Sequence, residues 1–141
     1  MKRVLITGPR NTGKTSFINC VLKKNFIPKY TPSTKPSVHP SPHIIFTDWP
    51  GNKEIPKTER FDIIIVMFDQ SNQLSFTNAV NYVIEMDSKC PVLMVGNKTD
   101  LPNVITPEEL RRFIGHYGVE YFSISTQYKH NIDKLMSYLT K

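Results

Sequence analysis

The feature that most constrains the fold is an eight-residue string near the amino terminus, GPRNTGKT, at residues 8–15. It follows a short, apolar, β-prone run, Val4–Thr7, and leads into residues 15–24, where apolar side chains recur at helical spacing. A string of the form G-x-x-x-x-G-K-[ST] between a strand and a helix is typical of a phosphate-binding loop. The chain is therefore predicted to begin with a strand, a phosphate-binding loop and a helix.

The residue types in this loop suit a bound phosphate chain. Glycine lacks a Cβ, so Gly8 and Gly13 let backbone N–H groups point towards phosphate oxygens. The amino terminus of the following helix adds partial positive charge. We expect Lys14 to place its ammonium on the outer phosphates and the Thr15 hydroxyl to ligate Mg²⁺.

Beyond this unit, strand and helix signals alternate along the chain. Residues 27–42 hold five prolines and are predicted to form a loop, as is the polar segment 49–60. The alternation predicts a doubly wound α/β fold, with a mostly parallel sheet of five to six strands and helices on both faces. A length of 141 residues predicts one domain, residues 1–141. Strands are predicted at 43–48, 62–68, 91–96 and 120–123, and helices around 76–84, from a Thr106 cap to 117, and around 132–139.

A second motif, DWPG at residues 48–51, comes at the end of a predicted strand. Asp48 could reach Mg²⁺ directly or through water, and Gly51 leaves a backbone N–H free to meet a γ-phosphate. Alone, this string is equally well explained as an acidic strand end followed by a Pro-Gly turn. Its position after the phosphate loop favours the metal-binding interpretation.

A third motif, NKTD at residues 97–100, directly follows the apolar run PVLMVG. A carboxylate accepts two hydrogen bonds from the N1–H and N2–H₂ edge of guanine, and adenine offers no such pair. Asp100 can therefore select guanine, because the wrong base would leave buried polar groups unpaired. The aliphatic stem of Lys98 can lie along the base plane.

The three motifs, in this order and spacing, resemble the small GTPases of the Ras-like superfamily over nearly the whole chain. The resemblance implies the P-loop GTPase fold, with bound GTP or GDP and Mg²⁺. The string SISTQ at residues 123–127 is similar to the loop that backs the base in this family. The segment from Phe26 to Ser33 is similar to the family's first switch. The implied nucleotide ligands are Gly8, Asn11, Thr12, Gly13, Lys14, Thr15, Ser16, Phe26, Gly51, Asn97, Lys98, Asp100, Ser125, Thr126 and Gln127, and the implied metal ligands are Thr15, Asp48 and either Ser33 or Thr34.

The chain also departs from the family. The proline-rich loop before Asp48 is short, so the family's second strand is expected to be truncated or lost, and Pro56 argues against a full helix in the second switch. Asn52 stands in the position of the catalytic Gln, and Arg10 in a phosphate-loop position that is often small. The resemblance therefore implies catalytic roles for Lys14, Asn52 and Arg10, with slow or impaired hydrolysis.

The expected function is a guanine-nucleotide switch whose loops, residues 28–42 and 49–60, are read by protein effectors or regulators. The alternative is a pseudo-GTPase interaction module, in which the nucleotide is structural or absent. The altered switches favour this alternative, and the intact Lys14, Thr15, Asp48 and Asp100 oppose it. A P-loop kinase or ATPase is a further alternative that NKTD argues against.

The formal net charge of +6 raises the question of a nucleic-acid partner. The basic residues are scattered without an aromatic stacking motif, so a solvated basic surface around an anion site is favoured. Cys20 and Cys90 are expected to be thiols in a reducing compartment. No run has the length of a signal peptide core or membrane span, and MSYLTK offers no lipid anchor, so a cytoplasmic location is expected.

Overall fold

The computed structural model describes residues 1–22, 36–51, 60–86 and 90–141. The proposed ligands Phe26, Ser33 and Thr34, the proposed catalytic Asn52, and Pro56 lie outside these residues. The strands are β1 (Lys2–Thr7), β2 (Ser37–Pro40), β3 (Ile44–Asp48), β4 (Ile63–Asp69), β5 (Val92–Asn97) and β6 (Glu120–Ser123). The helices are α1 (Lys14–Val21), α2 (Gln73–Glu85), α3 (Pro107–Tyr117) and α4 (Ile132–Leu139).

The strands form one six-stranded sheet in the order β2-β3-β1-β4-β5-β6. Every neighbouring pair is parallel except β2 and β3, which are antiparallel. Strand β1 lies in the middle, and its Val4 is paired with Phe46 on one side and Ile63 on the other. The predicted mostly parallel, doubly wound α/β fold is confirmed.

The prediction of a loop over residues 27–42 is wrong for Ser37–Pro40, which form β2. The second strand is therefore short rather than lost. It tolerates its proline because it lies at the edge of the sheet, where Pro40 ends the strand and its missing N–H costs little. Val38 is 63% exposed on this edge.

Apolar side chains bury both faces of the sheet, as expected for parallel strands covered by helices. On one face, Phe17 of α1 and Leu135 of α4 pack with Val4 and Ile6 of β1. The remaining buried apolar side chains pack on the other face, among them Leu5 of β1, Phe76 of α2 and Phe113 of α3. Alternate residues of β1 thus serve opposite cores, which fixes its register in the sheet.

Helix α3 begins at the cap that the sequence predicts. Thr106 caps α3 by accepting a hydrogen bond from the Glu109 N–H at 3.1 Å, and Pro107 takes the first helical position. The first helix was predicted to reach Lys24, but it ends at Val21. Within the described ranges, none of the helices has the length and apolarity needed to cross a bilayer.

The carboxyl ends of the parallel strands meet at one edge of the sheet. Thr7, Asp48, Asp69, Asn97 and Ser123 are the last residues of β1, β3, β4, β5 and β6. The chain leaves β1 towards β3 on one side and later returns to β4 on the other, which makes a topological switch point beside β1. Ligands of open α/β sheets bind at such a point.

Candidate nucleotide-binding site

The loop between β1 and α1 depends on two glycines in left-handed backbone conformations. Gly8 has φ 135° and Gly13 has φ 95°, values that side-chain-bearing residues rarely adopt. A Cβ on Gly8 would overlap the carbonyl oxygen of Met67, and a Cβ on Gly13 would overlap the side-chain amide of Asn97. The two glycines therefore allow the loop to pack directly against β4 and β5.

Lys14, the first residue of α1, is buried beneath the loop and only 8% exposed. Its Nζ donates to the carbonyl oxygens of Gly8 at 3.0 Å and Pro9 at 2.8 Å. Burial lowers the pKa of Lys14 to about 8, with Asp48 opposing the shift and Arg10 adding to it. A desolvated ammonium held mainly by carbonyls is suited to an anionic ligand, which would stabilise its charge.

Asp48 lies beside this lysine at the end of β3 and is 1% exposed. Its Oδ2 accepts a hydrogen bond from the Thr15 hydroxyl at 2.5 Å, while its Oδ1 has no hydrogen-bond partner among the described residues. A buried carboxylate oxygen without a donor is costly unless a cation compensates it. The pair of a carboxylate and a hydroxyl fits Mg²⁺, which prefers oxygen ligands.

Gly51 brings the second motif against the phosphate loop. A Cβ on Gly51 would overlap the carbonyl oxygen of Gly8 and would lie 3.2 Å from the Tyr82 hydroxyl of α2. Trp49 is buried and its N–H donates to the Ile6 carbonyl at 2.8 Å, which extends the pairing of β3 with β1. The backbone at the start of the second loop is therefore fixed beside Gly8.

Asn97 joins the third motif to the phosphate loop. Its Nδ2 donates to the Thr12 carbonyl at 2.9 Å, and its Oδ1 accepts from the Thr126 N–H at 3.2 Å and the Lys98 N–H at 2.7 Å. The Lys98 Nζ donates to the Asn11 carbonyl at 2.8 Å. Three segments far apart in sequence are thus held together by the side chains of Asn97 and Lys98.

Asp100 is exposed at the rim of this cluster. Its Oδ1 accepts a hydrogen bond from the Ser125 hydroxyl at 2.8 Å. The predicted base-backing loop therefore contacts the proposed base-reading carboxylate, with Ser125 and Thr126 buried and Gln127 exposed. Arg10 and Asn11 are exposed on the phosphate loop.

Sequence reasoning missed two polar residues at the end of β4. Asp69 Oδ2 lies 3.1 Å from Lys98 Nζ, and the Gln70 side-chain amide donates to the carbonyls of Lys98 and Leu101. Their signal in the sequence is a pair of polar residues directly after the apolar run IIIVMF. At the carboxyl end of a buried parallel strand, such residues face the switch point.

Two protein-family models match the chain. The model of the Ras family matches residues 56–141, and the model described as 50S ribosome-binding GTPase matches residues 3–98. The second match includes the phosphate loop and DWPG, and the first includes NKTD and the loop around Ser125. Each match covers more than half of the chain.

Proposed function

The chain belongs to the Ras-like P-loop GTPases, and from that membership we propose that it is a molecular switch that binds Mg²⁺-GTP and GDP and hydrolyses GTP slowly. The observation that carries this proposal is the pair of buried charges at the phosphate loop. Lys14 and Asp48 are both desolvated, and the Oδ1 of Asp48 has no hydrogen-bond partner among the described residues. A magnesium-bound phosphate chain offers each of them the opposite charge.

In this proposal the phosphates lie in the loop formed by residues 8–16. Lys14 binds their outer oxygens, and the backbone N–H groups at the start of α1 complete the cradle. Thr15 and Asp48 hold Mg²⁺, which neutralises charge on the phosphates when it is bound. Further proposed phosphate ligands are Asn11, Thr12 and Ser16, and the proposed additional metal ligand is Ser33 or Thr34, as expected from the sequence.

The proposed base site lies at the ends of β5 and β6. Asp100 accepts from the guanine edge, Lys98 lies along the base plane, and the loop at 125–127 backs the base. The hydrogen bond from Ser125 to Asp100 supports this arrangement, because it joins two of the three groups. Phe26 is proposed to flank the nucleotide.

The proposed switch begins at the contact between Gly51 and Gly8, where the backbone of the second motif lies against the phosphate loop. Binding of that phosphate by the Gly51 N–H would order the loop that follows. Protein effectors or regulators would then read residues 28–42 and 49–60. The nucleotide thereby controls which surface the partner meets.

Slow hydrolysis is proposed because of the residue at position 52, while Arg10 could change the rate in either direction. Asn52 carries the amide of the family's Gln on a stem one methylene shorter, so it is expected to fall short of the attacking water. Arg10 either crowds the γ-phosphate or acts as an arginine supplied in cis. We propose an intrinsic rate at or below about 10⁻⁴ s⁻¹, the lower end for small GTPases.

We also propose a single domain and a cytoplasmic location. A single domain over residues 1–141 is supported by the continuous six-stranded sheet that runs from Lys2 to Ser123. A cytoplasmic location is supported by the sequence, which holds only two cysteines, Cys20 and Cys90, too few for a disulfide framework.

The first experiment is mass analysis of nucleotide released from freshly purified protein. Guanine nucleotide supports the proposal. Its absence, combined with no binding of added GTP, would favour the pseudo-GTPase alternative. Adenine nucleotide alone would overturn the base assignment.

The second experiment is single-turnover GTP hydrolysis by the wild type, Asn52→Gln and Arg10→Gly, with the exposed Lys134→Ala as a surface control. We expect a slow wild-type rate that rises in Asn52→Gln and does not change in Lys134→Ala. A fast wild-type rate that is lost in Arg10→Gly would instead make Arg10 a catalytic residue.

A further inference from the structure

We propose that Asp69 and Gln70, the two polar residues at the end of β4, are positioning residues that set the guanine selectivity of Asp100. The inference rests on the proposed function, since it concerns how the base-reading loop is held. Neither residue is expected to touch the nucleotide. Gln70 acts through the loop backbone, and Asp69 acts through the ammonium of Lys98.

Gln70 holds the two ends of the turn that carries Asp100. The residue is 6% exposed, and its Nε2 donates to the Lys98 carbonyl at 3.0 Å and to the Leu101 carbonyl at 2.9 Å. These carbonyls flank Thr99 and Asp100. A primary amide has two N–H donors, so both are used and both point into one turn.

The backbone of Gln70 is hydrogen-bonded to the same part of the chain, around the turn that carries Asp100. Its N–H donates to the Asn97 carbonyl at 3.2 Å, and its carbonyl accepts from the Val104 N–H at 3.1 Å. Gln70, which directly follows β4, therefore makes four hydrogen bonds to residues 97–104, at the end of β5 and in the connection to α3. These bonds fix the segment relative to the central strands of the sheet.

The turn needs such anchors because its own backbone conformation is unfavourable. Lys98 has φ 66°, a left-handed value that is uncommon for residues other than glycine. The Leu101 N–H donates to the Lys98 carbonyl at 2.9 Å and closes the turn. Conformations of this kind persist where surrounding contacts hold them, and the Gln70 amide supplies two of these contacts.

Asp69 holds the lysine of the same motif from the other side. Its Oδ2 pairs with Lys98 Nζ at 3.1 Å, while its Oδ1 accepts from the Ser71 N–H at 2.9 Å and hydroxyl at 2.6 Å. The carboxylate is therefore fixed before it meets the lysine. Lys98 Nζ also donates to the Asn11 carbonyl, so Asp69 helps to connect the base loop to the phosphate loop.

The ratio of affinities for GDP and inosine diphosphate isolates this role. The two ligands differ only in the 2-amino group, which is the second donor to Asp100. A displaced Asp100 loses two hydrogen bonds to guanine and one to hypoxanthine, so the ratio falls towards one. A general loss of stability weakens both ligands alike and leaves the ratio unchanged.

The experiment measures this ratio by competition titration for the wild type, Gln70→Ala and Gln70→Met. Methionine keeps the length of the side chain without its amide, which keeps the test informative if the alanine variant does not fold. We expect the wild type to prefer GDP by about tenfold or more, and both variants to lose most of that preference. Asp100 itself is unchanged in both.

The chain offers a matched control in Gln73→Ala. The Gln73 amide also joins two elements, since its Nε2 donates to Glu109 Oε1 of α3 at 3.0 Å, but it is exposed and makes none of these contacts to residues 98–101. We expect Gln73→Ala to keep the wild-type ratio. A fall as large as that in Gln70→Ala would contradict a specific role for Gln70.

For Asp69, the test is a double-mutant cycle with Asp69→Asn and Lys98→Met on the GDP dissociation rate. We expect faster dissociation in Asp69→Asn, and no further change when Lys98→Met is already present. Glu120→Gln removes an exposed carboxylate at the other end of the sheet and controls for net charge. If the two substitutions changed the GDP dissociation rate additively, Asp69 would not act through Lys98.

Two results distinguish a failure of the positioning role from a failure of the proposed function. Equal wild-type affinity for GDP, inosine diphosphate and ADP would overturn the proposed function. A selective wild type together with a ratio unchanged in both Gln70 variants would overturn the positioning role alone.

Discussion

At the scale of single residues, two buried charged side chains lie beside each other at the nucleotide site, Lys14 after the phosphate loop and Asp48 at the end of β3, and each has few compensating contacts among the described residues. The Lys14 ammonium donates to two carbonyl oxygens. The Asp48 carboxylate accepts a hydrogen bond from one hydroxyl, on one of its two oxygens. The motif strings predict both residues and the chemistry expected of them. They could not predict Gln70, because its partners are backbone carbonyls 28 and 31 residues away, and no local pattern records such a contact.

The first prediction concerns the phosphate loop. Lys14→Ala removes the ammonium and Thr15→Ala removes a proposed metal oxygen, so each should weaken the binding of Mg²⁺-GTP. The loss of one charge-assisted contact costs about 1.5–3 kcal/mol, or roughly 10- to 150-fold. Calorimetry with Lys134→Ala as the control measures the effect. Wild-type affinity in both variants would show that the loop does not bind phosphate.

The second prediction concerns the base. Asp100→Asn replaces an acceptor pair by an amide, which should weaken GTP and favour xanthosine triphosphate, whose 2-oxo group accepts from the new N–H₂. Ser125 remains able to donate to the Asn side-chain oxygen, so the loop should keep its place. Competition titration with GTP and xanthosine triphosphate measures whether the preferred nucleotide has changed. An unchanged preference for GTP would remove Asp100 from the base site.

At the scale of elements, the sequence predicted most strands because they are buried on both faces and read as unbroken apolar runs. IIIVMF becomes β4, in which all seven residues are buried. Strand β2 was missed because the proline density of residues 27–42 masks a four-residue antiparallel edge. The physical reason is that an edge strand needs hydrogen bonds on one side only, so it carries few of the usual signals.

The third prediction tests a helix that the sequence located correctly. Thr106→Ala removes the cap of α3 and should lower the free energy of unfolding by about 1 kcal/mol. Urea denaturation measures the change. The control is Thr77→Ala on the exposed face of α2, where the hydroxyl donates to the Gln73 carbonyl of the same helix. Equal losses in the two variants would mean that the Thr106 cap contributes nothing particular to stability.

At the scale of the whole molecule, the fold brings the carboxyl ends of five strands to one edge of the sheet. The motif spacing predicts that the phosphate loop, DWPG and NKTD meet, and the hydrogen bonds of Asn97 and Lys98 confirm that the first and third do. The sequence could not predict which helices pack on which face of the sheet. Helices α1 and α4 pack on one face, whereas α2 and α3 cover the other.

The fourth prediction uses the one tryptophan of the chain as a reporter. Trp49 is buried between Asp48 and Gly51, so its emission should differ between the protein loaded with GDP and with a non-hydrolysable GTP analogue. Steady-state fluorescence measures the difference, and Trp49→Phe should abolish it. Identical spectra in the two loaded states would argue against a rearrangement at the start of the second loop.

The central place of β1 has a consequence for how the chain acquires its structure during synthesis. Strand β1 lies between two strands that are synthesised after it, since Val4 pairs with Phe46 and with Ile63. The phosphate loop is then braced by Asn97, which itself accepts from the Thr126 N–H. A nascent chain therefore carries the residues of the phosphate loop long before it carries the residues that brace them. Nucleotide capture would then follow the synthesis of Thr126 rather than guide the folding of the segments before it.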